Sequence, residues 1–147
     1  MCERVEAFRR GLFSLQTRRF GKIGEIFVQA LEEFDEPESI FHDLFDSMNG
    51  ERIEVKCSRV LIANSETITV ENFIQQCLNN DPESRPVNYA DRETNAWDCN
   101  IQQVKRTEFS RLYYLLFFRD RISVFCIRSE QIQTDSALNY SDRQHAG

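Results

Sequence analysis

Cysteine pairs, long apolar runs and abundant glycine or proline are all missing from this 147-residue sequence. The five cysteines are odd in number and include no Cys-x-x-Cys pair, so the sequence indicates neither a disulfide framework nor a zinc site. We expect them to be reduced, and to be packed where they lie within apolar runs. With only 5 Gly and 3 Pro, the chain has the composition of neither a fibrous nor a low-complexity protein.

No apolar stretch is long enough to cross a membrane, and charged residues interrupt the first thirteen positions, unlike a secretory signal. The sequence therefore predicts a cytoplasmic protein with no membrane partner. The two histidines, His42 and His145, have no metal-ligand spacing. Hydrophobic residues make up 41% of the chain, which predicts a single folded domain over residues 1–147. Its polar tail, 129–147, is expected to fray, or else the chain is a fragment of a longer enzyme.

Charge is distributed unevenly along the chain, although the net charge of −6 by itself argues against a nucleic-acid partner. Residues 1–22 carry six cations against two carboxylates, whereas residues 25–54 carry ten carboxylates against one cation. Residues 105–128 are basic again. Fifteen of the 18 cations are arginines, and guanidinium groups suit bidentate contact with phosphate or a guanine edge. Each arginine is equally consistent with a solvated surface cation.

Hydrophobic patterning predicts both helices and strands. Apolar residues at three- and four-residue steps predict an amphipathic helix over 20–34. A second helix is expected near 70–78 and a strand over 99–105. Two apolar runs within 111–128, separated by a charged triplet, predict a buried hairpin whose aromatic residues belong to the core.

A β-hairpin is also predicted around Asn49-Gly50, because this dipeptide favours a two-residue turn between strands. Counting outward from such a turn places Asp43 opposite Lys56. Since side chains alternate across a strand, Asp43, Glu54 and Lys56 then emerge on one face, with Glu54 diagonal to Asp43.

Two carboxylates and a lysine on one face predict either an ion cluster or a cation-binding site. Neighbouring carboxylates repel each other, so they form a mutually satisfied ion cluster or bind a hard divalent cation such as Mg²⁺. A bound cation of this kind stabilises charge during attack on a phosphodiester, and Lys56 would orient the attacking water or neutralise the phosphate. The alternative is a simple salt bridge between Asp43 and Lys56 in a surface hairpin.

Asp43, followed after a short turn by Glu54-Val55-Lys56, resembles the active-site signature of the PD-(D/E)xK nuclease superfamily. His42 stands where that signature usually has proline. The order of elements over residues 20–128 is similar to that of small type II restriction endonucleases. The resemblance implies an α/β fold with a mixed central β-sheet flanked by helices and a restriction-endonuclease-like core.

The same resemblance implies roles for individual residues. Asp43 and Glu54 would hold Mg²⁺, for which Mn²⁺ can substitute, and Lys56 would assist the attacking water. An acidic residue of the first helix, Glu25, would complete the site, although a helical wheel turns it away from the apolar stripe and towards solvent. A glutamine on the 99–105 strand would lie near the scissile phosphate, and Gln103 is preferred over Gln102.

The mostly polar segment 79–98 is unusually long for a connection, so it is either functional or disordered. It contains four side chains of the types that read base edges: Arg85, Asn88, Arg92 and Asn95. We therefore consider this segment a candidate for DNA contact.

Together these observations predict a Mg²⁺-dependent endonuclease that cleaves double-stranded DNA at a specific sequence, as a type II restriction enzyme does. A homodimer is expected, because a chain of this size has surface for little more than one half-site. The alternatives are a repair or recombination nuclease of the same superfamily, a catalytically silent DNA-binding module, and a hairpin with no nucleic-acid role.

Overall fold

The chain folds as a mixed α/β structure around a four-stranded sheet. The computed structural model describes residues 3–37, 39–64, 66–79, 84–101 and 104–132. In chain order the elements are α1 (Glu3–Ser14), α2 (Thr17–Glu32), β1 (Leu44–Asp46), β2 (Glu51–Arg59), β3 (Leu61–Ile62), α3 (Phe73–Leu78), β4 (Trp97–Asp98), β5 (Arg111–Phe117) and β6 (Ile122–Arg128). None of the helices in these ranges has the length and apolar character needed to cross a membrane.

The four-stranded sheet has the order β1-β2-β5-β6, and β3 and β4 form a separate pair. β1 runs antiparallel to β2, β2 runs parallel to β5, and β5 runs antiparallel to β6. The predicted mixed sheet is therefore confirmed. The long connection between β2 and β5 follows from their parallel pairing, because a tight turn can join only antiparallel neighbours.

Helices α1 and α2 cover one face of the sheet. The predicted amphipathic helix is confirmed as α2, which starts at Thr17 and ends at Glu32; α1 was not predicted. Buried residues of both helices pack on inward-facing residues of β1, β2 and β5 to form the main core: Leu12, Phe20, Val28, Leu44, Ile53, Val55, Tyr113, Leu115 and Phe117.

Gly24 allows α2 to approach β2 closely. A Cβ atom added there would lie 3.1 Å from Cys57 Sγ and 3.2 Å from Cys57 Cβ. A side chain at this position would require Cys57 to shift by a few tenths of an ångström. The glycine therefore fixes how near the helix lies to the strand that carries Glu54 and Lys56.

Connecting segments cover the other face. Val60 and Val87 pack with Leu116 and Phe118 in one buried cluster, and Val104, Phe109 and Leu112 form another. The helix predicted near 70–78 is confirmed as α3, but none of its residues is buried.

The β1–β2 hairpin is confirmed, but its predicted register is wrong by two residues. Asp46 pairs with Glu51, so the loop contains four residues, 47–50, instead of two. The Asp46 carboxylate accepts hydrogen bonds from the Asn49 amide at 3.2 Å and side chain at 2.8 Å, and the Asp46 carbonyl accepts one from the Gly50 amide at 2.7 Å. Gly50 adopts φ of 68°, a left-handed conformation that closes the longer loop. A shift of two leaves every side chain on its predicted face.

The strand predicted over 99–105 is not formed by the residues of that range that the structure describes, 99–101 and 104–105. The pairing ends earlier, at Trp97–Asp98, because the partner strand β3 is only two residues long. Asn100 instead accepts a hydrogen bond from the Ser58 hydroxyl through its carbonyl oxygen.

The β5–β6 hairpin is confirmed with the charged triplet in its turn, but the prediction that it is buried is wrong for β6. Phe125 is 54% exposed, because β6 has a neighbour on one side only within the described sheet. Cys126 on the same strand and Cys77 on α3 are also exposed, so their predicted packing is wrong.

Candidate functional site

The candidate site lies where β1 stops before β2 does. β1 begins at Leu44, which pairs with Ile53, so residues 54–59 of β2 lie beyond the end of their partner strand. Asp43 is hydrogen-bonded to β2 on both sides of this point. Its amide donates to the Ile53 carbonyl at 3.0 Å, and its Oδ2 accepts a hydrogen bond from the Val55 amide at 2.8 Å. The carboxylate thus takes the place of a backbone carbonyl and is held in a defined position.

Asp43 and Glu54 are neighbours at the point where the regular pairing of β1 and β2 ends. The paired residues stop at Leu44 and Ile53, and the Asp43 amide donates to the Ile53 carbonyl, one residue away from the partner that a continued register would give it. The predicted pairing of Asp43 with Lys56 is therefore wrong. Asp43 is still close enough to Glu54 to raise the pKa of that carboxyl by repulsion.

Glu54 is buried, with 12% of its side chain exposed, and forms an ion pair with Lys56. The salt bridge predicted as the alternative, between Asp43 and Lys56, is replaced by this pair on the same strand. Burial and, after it, repulsion from Asp43 raise the pKa of the Glu54 carboxyl, and Lys56 partly offsets both, so that the pKa is about 7. A positive charge next to Glu54 would therefore favour the ionised form of its carboxyl group.

A cleft of about 660 Å³ opens beside these residues, between α2 and the unpaired part of β2. Asp43 and Lys56 line it, and so does Glu25. Glu25 is half-buried, with 22% of its side chain exposed, and pairs with Lys22 at 2.7 Å, which raises the pKa of that lysine. Glu25 therefore lines the open cleft although the helical wheel turns it away from the apolar stripe, because α2 packs beside the open edge of β2 as well as over the sheet.

The donor set suits Mg²⁺. Within the described residues, no group of three or more histidine, cysteine, aspartate or glutamate side chains is placed to hold a metal ion. Mg²⁺ does not need such a group, since it is usually held by one or two carboxylates together with waters and substrate phosphates. Asp43, directly before β1, and Glu54 on β2 are hard oxygen donors and fit this pattern.

His42 was not singled out as a site residue, yet it is 6% exposed beside Asp43. Its Nδ1 lies 3.2 Å from the Ser39 hydroxyl, and its Nε2 is buried without a partner in the described part of the chain. A second cavity of about 400 Å³ contains His42, Asp43 and Glu25 in its wall. The position of His42, next to the first acidic residue of the motif, was the only sequence signal for it.

Two arginines line the far part of the cleft and were also missed. Arg18 is exposed, and Arg59 donates a hydrogen bond to the Leu15 carbonyl while its guanidinium carbon lies 4.2 Å from the centre of the Phe20 ring. The cleft therefore combines carboxylates at one end with cations at the other. The sequence signal was the basic character of residues 1–22.

Cys57 also lines the cleft, but it is not suited to be a nucleophile. Burial raises the pKa of its thiol to about 11, so it stays protonated at neutral pH. The chemistry of the cleft therefore depends on its carboxylates and cations.

The four predicted DNA-contacting residues lie together in one ordered segment, and each contacts its own surroundings. Arg85 donates to the Ile62 carbonyl at 3.4 Å, and Asn88 donates to the Asp91 carboxylate at 2.9 Å. Arg92 donates to the Tyr89 carbonyl at 3.0 Å, and Asn95 donates to the Asp91 carbonyl at 3.4 Å. The described part of this segment is thus not disordered, and the role of these side chains in DNA contact stays a prediction.

Gln103 and its alternative Gln102 lie outside the described residues, as does most of the predicted tail, from residue 133 onward. Their predicted roles stay predictions. No protein-family model matches this sequence, and neither the curated proteins nor the solved structures searched contain a match.

Proposed function

We propose that this protein is a Mg²⁺-dependent endonuclease that hydrolyses phosphodiester bonds of double-stranded DNA at a specific sequence, with a core of the restriction-endonuclease type. One observation carries the proposal: Asp43 lies close enough to Glu54 for their charges to interact, and Asp43 and Lys56, the ion-pair partner of Glu54, line a cleft that is open to solvent. Two carboxylates and a lysine in this arrangement suit hydrolysis of a phosphate ester.

The residues of the site have separable tasks in this proposal. Asp43, held by the Val55 amide, and Glu54 would bind the cation through their carboxylate oxygens. The chemistry that bound Mg²⁺ supplies is stabilisation of the negative charge that develops on the phosphate. Lys56, kept at the cleft wall by Glu54, would orient the attacking water and neutralise the same charge.

Glu25 and Gln103 have supporting tasks. Glu25 lines the same cleft as Asp43 and would bind a water that a cation retains. Gln103 would contact the scissile phosphate, as the resemblance to restriction endonucleases implies.

The shape and charge of the cleft favour a polynucleotide over a small phosphate ester. The cleft is open, and Arg18 and Arg59 extend it away from the carboxylates. Cations in the part of the cleft away from the carboxylates suit contact with further phosphates of a polynucleotide. We also propose a homodimer, since cleavage of both strands at a symmetric site requires two copies of the site.

Digestion of mixed-sequence plasmid DNA, with and without Mg²⁺, tests the proposal. The protein should produce discrete fragments only with the cation, and sequencing of their ends should return one short sequence. Lys56→Ala should reduce the cleavage rate by at least about 100-fold, the usual contribution of one electrostatic or acid-base group. Lys105→Ala is the matched control, because Lys105 also pairs with a glutamate, Glu108 at 3.2 Å, but lies on the surface. Intact DNA under all conditions would refute the proposal.

A catalytically silent DNA-binding module is the second candidate, and the Glu54–Lys56 ion pair favours it. This pair partly satisfies the buried carboxylate without a metal. A silent module would retain DNA in a gel, leave it uncut with Mg²⁺ or Mn²⁺, and be unaffected by Lys56→Ala. Fragments with unrelated ends would instead support a repair or recombination nuclease.

A further inference from the structure

The two basic parts of the sequence meet at one end of the sheet. The parallel strands β2 and β5 end side by side, with Arg59 paired to Phe117, and the β5–β6 turn follows directly. Helix α1 reaches the same place, where the Arg9 guanidinium donates a hydrogen bond to the Arg119 carbonyl. Residues far apart in sequence therefore contribute cations to one surface.

A cavity of about 560 Å³ lies between α1 and this turn, and we call it the arginine cavity. Three arginines line it, together with one carboxylate and the apolar side chains of a phenylalanine and a proline: Arg9, Arg10, Arg119, Glu6, Phe13 and Pro86. Glu6 pairs with Arg9 at 3.4 Å. In the described part of the chain, Arg10 and Arg119 have no carboxylate partner and both are exposed.

The opposite end of the sheet has no such excess of positive charge. There Arg111 pairs with Asp46 and Glu51, and Arg128 pairs with Glu51 at 2.9 Å. The positive charge of the arginine cavity is therefore a local feature, present despite the overall net charge of −6.

The arginine cavity adjoins the candidate cleft. Ser14 lines the cavity and Thr17 lines the cleft, and only the short connection between α1 and α2 separates them. Three residues of fully extended chain span at most about 11 Å. Since one DNA strand carries a phosphate about every 3.4 Å along the helix axis, a strand bound in the cleft would reach the cavity within a few nucleotides.

We propose that the arginine cavity binds the phosphate backbone of DNA on one side of the bond that the cleft cleaves. The inference rests on the proposed function and names the surface along which its substrate lies. Guanidinium groups bind phosphate oxygens in a bidentate manner, and Phe13 and Pro86 provide an apolar wall for the sugars. Contacts of this kind position DNA without reading its sequence.

Fluorescence anisotropy of a labelled 30-base-pair duplex, in EDTA and between 50 and 200 mM salt, tests the inference. The test variant is Arg10→Ala/Arg119→Ala, and Arg10→Lys/Arg119→Lys restores the charge. The matched control is Arg52→Ala/Arg128→Ala, which removes two exposed arginines at the opposite end of the sheet. Thermal unfolding of each variant confirms that it is folded.

Loss of two phosphate contacts should lower the slope of log K against log salt by about 1.8. Over this fourfold range of salt the wild type should therefore lose about tenfold more affinity than the alanine variant. The lysine variant and the control should keep the slope of the wild type. A slope that is unchanged in the alanine variant, or reduced equally in the control, would overturn the inference.

The result of this binding test can be distinguished from the result of the cleavage test of the proposed function. If the protein binds DNA with the predicted slopes but never cuts it, the cavity is a DNA-binding surface and the nuclease proposal fails. If the protein cuts DNA while the alanine variant binds with the slope of the wild type, the cavity has no such role. A wild type that does not bind DNA at all would overturn both.

Discussion

At the scale of single residues, Glu54 shows how the candidate site costs stability. A buried carboxylate with another carboxylate near it is unfavourable, and the ion pair with Lys56 only partly offsets this, because the pKa of Glu54 remains at about 7. A leucine or glutamine would satisfy the fold better. Its presence here is the strongest reason to look for a cation or substrate that uses it.

The raised pKa of Glu54 predicts how stability changes with pH. Between about pH 4.5 and 7 the folded protein retains a proton on Glu54 that the unfolded chain has lost. This contribution to stability is complete below pH 4.5 and is lost as the pH rises through 7, and its size is on the order of 3 kcal/mol. Glu54→Gln cannot ionise and should not show this loss with rising pH, so the variant should be more stable than the wild type at pH 8.

Urea unfolding at several pH values measures this effect. The exposed Glu93→Gln is the control, and its free energy of unfolding should stay within about 0.5 kcal/mol of the wild type at each pH. If Glu54→Gln unfolds with the same pH profile as the wild type, the account of Glu54 is wrong.

At the scale of elements, the contact between α2 and β2 sets the width of the candidate cleft. Gly24→Ala should destabilise the protein by about 1–3 kcal/mol, because the added methyl group would overlap Cys57 on the neighbouring strand. Gly21→Ala is matched to it, since Gly21 lies on the same helix with no heavy atom within 4 Å of the added Cβ. That variant should be more stable than the wild type by about 0.5–1 kcal/mol. Equal melting temperatures for the two variants would contradict the close approach.

Many of the helices and strands were predictable from the sequence, and each wrong prediction about them has an identifiable physical cause. Periodicity was sufficient for α2 and for the strands β5 and β6, because their apolar stripes are regular. Asn49-Gly50 located the hairpin but not the loop length, which the side chain of Asp46 decides. The exposure of β6 depends on the order of strands, which no local pattern contains.

The candidate site was also predictable in part, from the regular alternation of side chains along a strand. The alternation of side chains placed Glu54 and Lys56 on one face whatever the register, because they lie two residues apart on the same strand. Glu25 could not be placed from its own helix, because its surroundings depend on where β1 ends. His42 and Arg59 required the packed structure, since neither lies at a position that periodicity distinguishes.

At the scale of the whole molecule, size and charge bear on how the proposed cleavage of DNA would proceed. One chain offers a single candidate cleft of this kind in its described part, with carboxylates at one end and arginines towards the other. Cleavage of both strands at one site therefore requires two chains. Light scattering after size exclusion, with duplex bound, should give a protein mass of about 35 kDa, twice the chain mass of 17.4 kDa. A protein mass of one chain per duplex would contradict the homodimer.

The central claim is that Asp43 and Glu54 together bind a divalent cation, and titration with Mn²⁺ followed by calorimetry tests it most directly. At pH 8 the wild type should bind Mn²⁺, and both Asp43→Asn and Glu54→Gln should weaken the binding at least about tenfold. The affinity of the wild type should fall as the pH drops below 7, because protons compete for Glu54. Affinities that are the same in the wild type and in both variants would contradict the claim.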